Sequence, residues 1–282
     1  MDVLRTEDEA RRVHGGVVVP TMGALHAGHR ALVDHALRAA GGVLPVVVTI
    51  FVNPTQFDEA SDFERYPRDL DGDLAVARAA GADAVFVPDV ETVYPPDVAV
   101  PVPPLPPVAT EPGLEDRHRP GHFAGVAQVV ARLFDLLRPR AAAFGEKDWQ
   151  QLLLVSAMVE RVRAETPERW PRLEVLPSPT VREDDGLALS SRNRLLDEGA
   201  RRAARGIPRA LQLAHSAQHP DTAEQLMRET LEAHDLEVEY AVVRDAATLR
   251  PVGDFRRPVR GLVAARAGGV RLIDNQPMTV WR

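Results

Sequence analysis

Through its first 180 residues the chain alternates short apolar runs with longer stretches whose apolar positions recur at helical spacing. Val17–Val19 reads as a short buried strand. Ala31–Ala40 follows with Leu32, Val33, Ala36, Leu37 and Ala40 on one stripe, stopped by Gly41-Gly42. Val46–Val52 is a continuous apolar run of the kind buried on both faces of a parallel sheet. Asp69–Ala80 predicts a helix ended by Gly81, and Ala84–Val87 a strand. Phe123–Leu137 predicts an apolar helix before Pro139, Ala141–Phe144 a strand, Asp148–Val162 a helix and Leu173–Leu176 a further strand. Repeated βα units of this kind imply an α/β fold with a doubly wound parallel sheet, whose ligands bind at the carboxyl ends of the strands.

Two departures from the alternation divide the chain. From Tyr94 to Pro112, prolines at 95, 96, 101, 103, 104, 106, 107 and 112 impose an extended, stiff path. A surface connection across the sheet edge explains it better than a proline-motif ligand for a partner. After about Val181, helical, charged stretches (Asp197–Ala217, Thr222–His234) precede strand-like ones (Leu236–Val243, Leu262–Ala265, Val270–Ile273). That order predicts a catalytic domain over residues 1–180 and a second, smaller α+β domain over 181–282.

Composition narrows the function classes. The 282 residues are 45% hydrophobic, enough for a sizeable core, and 34 Lys and Arg against 41 Asp and Glu leave a net charge of −7. No basic patch is implied, so neither nucleic acid nor a membrane surface is an expected partner. With no cysteine, disulfides, thiolate catalysis and cysteine-based zinc sites drop out. The acidic start, Met1-Asp2-Val3-Leu4-Arg5-Thr6-Glu7, lacks the apolar segment of a signal peptide, and no run approaches membrane-spanning length. The expectation is a cytoplasmic protein.

The chemistry-bearing residues cluster at the predicted strand ends. After Gly16-Val17-Val18-Val19 comes Pro20-Thr21-Met22-Gly23-Ala24-Leu25-His26-Ala27-Gly28-His29. A strand that breaks at a proline and enters a small-residue, two-histidine helix start outlines a phosphate site, because helix N-terminal N–H groups attract anions. His26 and His29, three apart, are expected on one face of the first turn, and Gly28 keeps the backbone bare. Phe51-Val52-Asn53-Pro54-Thr55-Gln56-Phe57 offers Asn53 and Gln56 for hydroxyls or carboxylates. Arg119-Pro120-Gly121-His122 puts His122 near a helix start as a candidate anion contact, though such a histidine is commonly only packed or solvated. In Phe144-Gly145-Glu146-Lys147-Asp148-Trp149-Gln150-Gln151, Gly145 lets the chain turn and Lys147 can reach a phosphate. Asp148 is a cap or acceptor there, and Gln151 faces the same way. Leu189-Ser190-Ser191-Arg192-Asn193 is a phosphate clamp or an ordinary serine cap. The set has no Walker A loop, no G-x-G-x-x-G and no Ser-His-Asp order. Cations without a strong nucleophile suit charge stabilisation at a polyphosphate, the demand of nucleotidyl transfer.

These segments closely resemble the pantoate–β-alanine ligase (pantothenate synthetase) family, within the H-x-G-H nucleotidyltransferase superfamily. The resemblance runs through Pro20–His29, Ile50–Phe57, Tyr66-Pro67-Arg68, Arg119–Gly125, Phe144–Leu152, Pro179–Asn193 and Arg271-Leu272-Ile273-Asp274-Asn275. It implies a Rossmann-like catalytic domain with a smaller domain closing over ATP. It also implies AMP-forming ligation of pantoate and β-alanine through pantoyl adenylate, a homodimer, and Mg²⁺ accompanying the ATP phosphates. By resemblance ATP meets Met22, Gly23, Ala24, Leu25, His26, Ala27, Gly28, His29, Gly145, Glu146, Lys147, Asp148, Val181, Leu189, Ser190, Ser191 and Arg192. His29, His26, Lys147 and Arg192 would carry the catalysis, with His29 as the central donor. Gln56 and Gln151 would hold pantoate, with Asn53 and His122 beside them, and Asp73 is a candidate metal contributor.

Three positions depart from the family pattern: Asp58 replaces a usual glycine, Glu115-Asp116-Arg117-His118 replaces small residues, and Glu165–Arg172 is slightly long. Two alternatives stay open at this level. One is a nucleotidyltransferase that stops at an adenylated product; the other is a nucleotide-binding protein without turnover.

Overall fold

The structure, a computed structural model, describes residues 1–57 and 60–278. Asp58 lies outside them. The described chain divides into two compact units. The first comprises Met1–Glu111, Glu115–Glu146 and Gln151–Pro179; the second comprises Pro112–Leu114, Lys147–Gln150 and the chain from Thr180.

The first unit is built on six strands: β1 (Asp2–Leu4), β2 (Val17–Thr21), β3 (Val46–Ile50), β4 (Ala84–Phe86), β5 (Ala141–Gly145) and β6 (Glu174–Ser178). Their order is β1-β4-β3-β2-β5-β6 and every pair is parallel. The doubly wound parallel sheet expected from the hydrophobic pattern is therefore present. The short strand β1 escaped that pattern because only Leu4 of its three residues is buried. Val17, Val19, Val46, Val48, Val85, Ala141 and Ala143 meet Val33 and Ala36 of the Ala27–Ala40 helix in one core. Val18, Val47 and Ala142, facing the other way, are equally buried, so both faces are covered as a parallel sheet requires. Residues 99–106 run without helix or turn between a turn at Pro95–Val98, where Val98 N–H donates to Pro95 O, and another beginning at Pro107, and Gln128 Nε2 donates to Val100 O at 2.7 Å.

Strand order reverses between β2 and β5, and the ladder there is short for a local reason. Val17 N–H donates toward β3, to Pro45 O, while Gly16 O accepts from Arg140 N–H on the β5 side. Alternate residues bond to alternate neighbours, so Pro20 would have to donate toward β5 and cannot. Pairing with β3 runs the full length from Val17↔Val46 to Thr21↔Ile50, but pairing with β5 ends at Val18↔Ala142. Pro20 thus lies inside the strand, paired with Thr49, instead of breaking it as expected. The β3 side is closed by hydroxyls: Thr21 N–H donates to Thr49 Oγ1 at 3.2 Å and Thr21 Oγ1 donates to Thr49 O at 2.5 Å.

The second unit carries an antiparallel sheet, β7 (Glu237–Asp245), β8 (Val259–Ala267) and β9 (Val270–Met278), in that order. Helices Glu198–Ala204, Gly206–Ala214 and Pro220–Glu232 supply Ala204, Ile207, Leu211, Met227 and Leu231 to its core. The single helix expected over Asp197–Ala217 is two. A helix running through Pro208 would drive the ring against the carbonyl of Ala204 four residues back, and the first helix ends at Ala204. Among the described residues no helix is long and apolar enough to cross a membrane.

Thr49 is wholly buried, and Thr49→Val removes the hydroxyl that accepts from the Thr21 N–H while leaving that amide its ladder partner, the Thr49 carbonyl. The substitution is expected to lower the unfolding free energy by about 0.5–1.5 kcal/mol, measured by urea denaturation.

Candidate active site

β2 leads into a turn that only an unusual backbone can make. Gly23 (φ +84°) and Ala24 (φ +52°) are both left-handed, and a side chain on Gly23 would come within 2.7 Å of Asp73 Oδ2. The turn aims two consecutive amides at one carboxylate: Ala24 N–H donates to Asp73 Oδ2 at 3.0 Å and Leu25 N–H to Asp73 Oδ1 at 2.6 Å. Successive N–H groups in such a conformation form an anion nest, here filled by the protein itself. Asp73 is 4% exposed on the Leu70–Ala79 helix. The sequence expectation of a metal contributor is therefore corrected: both oxygens brace the turn. Among the described residues no group of three or more His, Cys, Asp or Glu converges as a metal site.

The turn delivers two histidines into a reciprocal cap. His26 Nδ1 accepts from Gly28 N–H at 3.1 Å, and His29 Nδ1 accepts from His26 N–H at 3.3 Å. Both Nδ1 atoms accept, so the hydrogen-bond pattern assigns the proton of each neutral ring to Nε2. The rings lie 4.1 Å apart between centroids, tilted 40° to each other. His26 is the cap itself and not part of the first turn, and the helix begins at Ala27, four residues before the expected Ala31. The two-histidine helix start expected from the sequence is therefore present, with the apolar stripe beginning one turn later. Histidine serves as a cap although it is not among the common capping residues. Two Nε2–H donors at the positive end of a helix suit an anion.

β3 feeds the second cluster. Asn53 is 1% exposed and fully used. Its Nδ2 donates to Gln56 Oε1 and to Gly125 O, each at 3.1 Å. Its Oδ1 accepts from Thr55 N–H at 3.3 Å, from Thr55 Oγ1 at 3.0 Å and from the Tyr94 hydroxyl at 2.8 Å. Burial pushes the Tyr94 phenol above its usual pKa, keeping it a donor. Gly125 O can only accept, so Asn53 must present its NH₂ to both partners, and Gln56 in turn must present oxygen to Asn53. The Gln56 Oε1 is thereby taken up by Asn53, which leaves its NH₂ as the end of the amide able to donate elsewhere.

His122 props the same turn. Its Nδ1 donates to Gln56 O at 2.9 Å, while Arg119 donates to His122 Nε2 at 3.0 Å and to Gln56 O at 3.3 Å. Asn53 and His122, expected as ligand contacts, are therefore corrected to supports of Gln56, their polar atoms taken up by protein partners. The 16-residue helix His122–Leu137 sits very close to the turn: a side chain on Gly125 would meet Thr55 O at 2.2 Å. Gly145 departs from expectation in another way. It stays in β5, paired with Ser178, and a side chain there would meet open space, so it is not a turn residue. Glu146 follows in a single tight turn, and Gln151 is half-buried in the Trp149–Glu165 helix.

In the second unit, Lys147 Nζ lies 3.4 Å from Asp148 Oδ1, a weak pair that an anionic ligand could replace. Val181 and Leu189, singled out separately in the sequence, are joined: Leu189 N–H donates to Val181 O at 2.9 Å and Arg182 bridges Ala188. Ser190 Oγ accepts from Arg192 N–H at 3.3 Å, so Ser190 acts as a cap. The Arg192 side chain is exposed and makes no ion pair among the described residues. Sequence reasoning missed what braces this loop: Arg201 reaches Glu183 Oε2 at 2.6 Å and Asp185 Oδ2 at 2.8 Å. The acidic Glu183-Asp184-Asp185 run was the available signal.

Arg201 holds the Glu183 carboxyl below the usual carboxylate range; for Asp185 burial pushes upward, but Arg201 and the Leu187 N–H outweigh it. Groups depressed in the folded state stabilise it fully above their unfolded values, about pH 4. That contribution disappears as pH falls through the lower folded values. Urea unfolding from pH 7 to pH 3 should show this loss, and Arg201→Gln should flatten it; parallel pH profiles for the two proteins would refute the assignment.

Comparison with known proteins matches this geometry to a family. A family model described as pantoate-beta-alanine ligase matches residues 2–277. Pantothenate synthetase from Rubrobacter xylanophilus is 45% identical over 293 residues, with 97% of each chain covered. The crystal structure of pantothenate synthetase from Thermus thermophilus superposes with a TM-score of 0.89 at 42% identity, covering 98% of this chain and 99% of that one. Pantoate-beta-alanine ligase from Francisella tularensis, complexed with beta-gamma ATP and beta-alanine, gives 0.78 at 28% identity, covering 98% and 97%. The chain belongs to the pantoate–β-alanine ligase family.

Proposed function

We propose that this protein ligates (R)-pantoate to β-alanine with ATP, releasing AMP and pyrophosphate. A pantoate carboxylate oxygen attacks the α-phosphorus and the bond to the β-phosphate bridge breaks, giving pantoyl adenylate and pyrophosphate. The β-alanine amine then attacks the acyl carbon, the bond to AMP breaks, and the amine proton passes to solvent. The observation that carries this reading is the reciprocal histidine cap after β2, where the strand order reverses. It fixes His26 and His29 as Nε2–H donors, which stabilise charge developing on the α-phosphate without having to reorganise.

The remaining assignments follow the resemblance. ATP meets Met22–His29, Gly145–Asp148, Val181 and Leu189–Arg192, with Lys147 and Arg192 as the cations. Gln56, its Oε1 occupied by Asn53, donates through its NH₂ to the pantoate carboxylate or hydroxyls, with Gln151 as its counterpart. Mg²⁺ travels with the ATP phosphates, held largely by their oxygens. The protein works in the cytoplasm as a homodimer in this reading.

Pyrophosphate release should require pantoate and ATP, and AMP and pantothenate should form together only when β-alanine is added. AMP formation indifferent to both small substrates would overturn the reading. His29→Ala should lower kcat by about tenfold or more, the order expected for losing a transition-state donor. Gly125→Ala should push the Thr55–Gln56 backbone aside. The KM for pantoate is then expected to rise about tenfold and the KM for ATP to stay within about twofold.

A further inference from the structure

One motif remains without a role: Asp274-Asn275, a polar pair near the end of β9, 3% and 4% exposed. Neighbours on a strand face opposite ways, so the two side chains reach different partners. Asn275 Nδ2 donates to the backbone carbonyl of Lys147 at 2.8 Å, and its Oδ1 accepts from Arg260. The Arg260 guanidinium lies 3.5 Å above the ring centre of Trp149, whose Nε1 donates to Ala246 O at 2.9 Å. Asp274 accepts both arms of Arg182, at 2.7 and 3.0 Å, and Arg182 also donates to Gly186 O at 2.9 Å. Asp274 Oδ1 further accepts from Asn275 N–H at 2.7 Å, coupling the two.

We propose that Asp274 and Asn275 are positioning residues for ATP: side by side on β9, they hold the Lys147 turn and the Val181–Arg192 loop in fixed register. This rests on the reading above, in which both segments touch ATP. The arrangement carries the inference because each bond lands beside an assigned ATP residue. Asn275 binds the main chain of Lys147 itself, and Arg182 adjoins Val181 and pairs with Ala188, next to Leu189. Apolar side chains of similar volume could fill a core position at no loss of stability, whereas a buried forked ion pair fixes one geometry. Neither residue touches ATP in this proposal; each acts through a residue that does.

The test is Asn275→Asp, which keeps an acceptor for Arg260 but has nothing to donate to Lys147 O. The expected result is a rise of about tenfold in the KM for ATP, with the KM for pantoate within about twofold. In a Lys147→Ala background, Asn275→Asp should change the KM for ATP no further, since its effect passes through Lys147. Should Asn275→Asp fail to fold, Arg182→Lys keeps a cation on Asp274 while losing the fork and the Gly186 bond. The same ATP-selective rise is expected from it. Unchanged KM for ATP, equal rises for both substrates, or an undiminished effect in the Lys147→Ala background would overturn the proposal. Lys147→Ala with wild-type KM for ATP would instead overturn the assignment of Lys147 to ATP, a separate failure.

Discussion

A parallel ladder asks a central strand for an N–H toward each neighbour in turn, and at Pro20 β2 has none to give on the β5 side. The turn that carries the two histidines begins from that missing donor. The ladder parts after Val18, at the place where the strand order reverses and a doubly wound sheet opens a crevice. Toward β3 the threonine bonds between Thr21 and Thr49 keep β2 anchored for three more residues. The chain therefore leaves the sheet at Thr21 rigidly on one side and unpaired on the other, and turns through Gly23 and Ala24 into the amides held by Asp73.

The polar groups around Gln56 show a different logic, in which orientation is passed along a chain of bonds. Gly125 O has no choice of role, and it dictates which end of the Asn53 amide faces it. Asn53 then dictates Gln56, while Tyr94 and Thr55 saturate the other end of Asn53. A buried amide with an unmet atom is costly, so each member is locked by its neighbours. The orientation of Gln56 is thus set by a chain of neighbours and not by Gln56 alone.

Much of the fold was legible from periodicity, because strands buried on both faces and helices with an apolar stripe leave strong patterns at Val46–Ile50 and His122–Leu137. What periodicity could not show were boundaries set by unusual chemistry. A histidine cap started one helix early, and Pro208 divided another by acting on a residue four positions back. The site residues were found as types but misjudged in role where long-range bonds decide. Asn53, His122 and Asp73 look like ligand groups along the chain, and only their partners Gly125, Gln56 and the Ala24 and Leu25 amides reveal them as supports. Asp274 and Asn275 did leave a trace, as two polar residues following Leu272 and Ile273 in a strand.

The reciprocal histidine cap restricts what evolution could place at positions 26 and 29. Each side chain must accept a proton bond on one edge and offer one on the opposite edge, across a rigid ring. Lysine or arginine would supply more positive charge, but neither has a lone pair with which to cap a helix. Aspartate or serine would cap well and bring no fixed outward donor. Imidazole satisfies both demands without needing a net charge, so these positions are closed to ordinary exchange among cationic residues. In this protein the start of a helix and the tautomers of two histidines are one piece of chemistry, and neither can drift independently of the other.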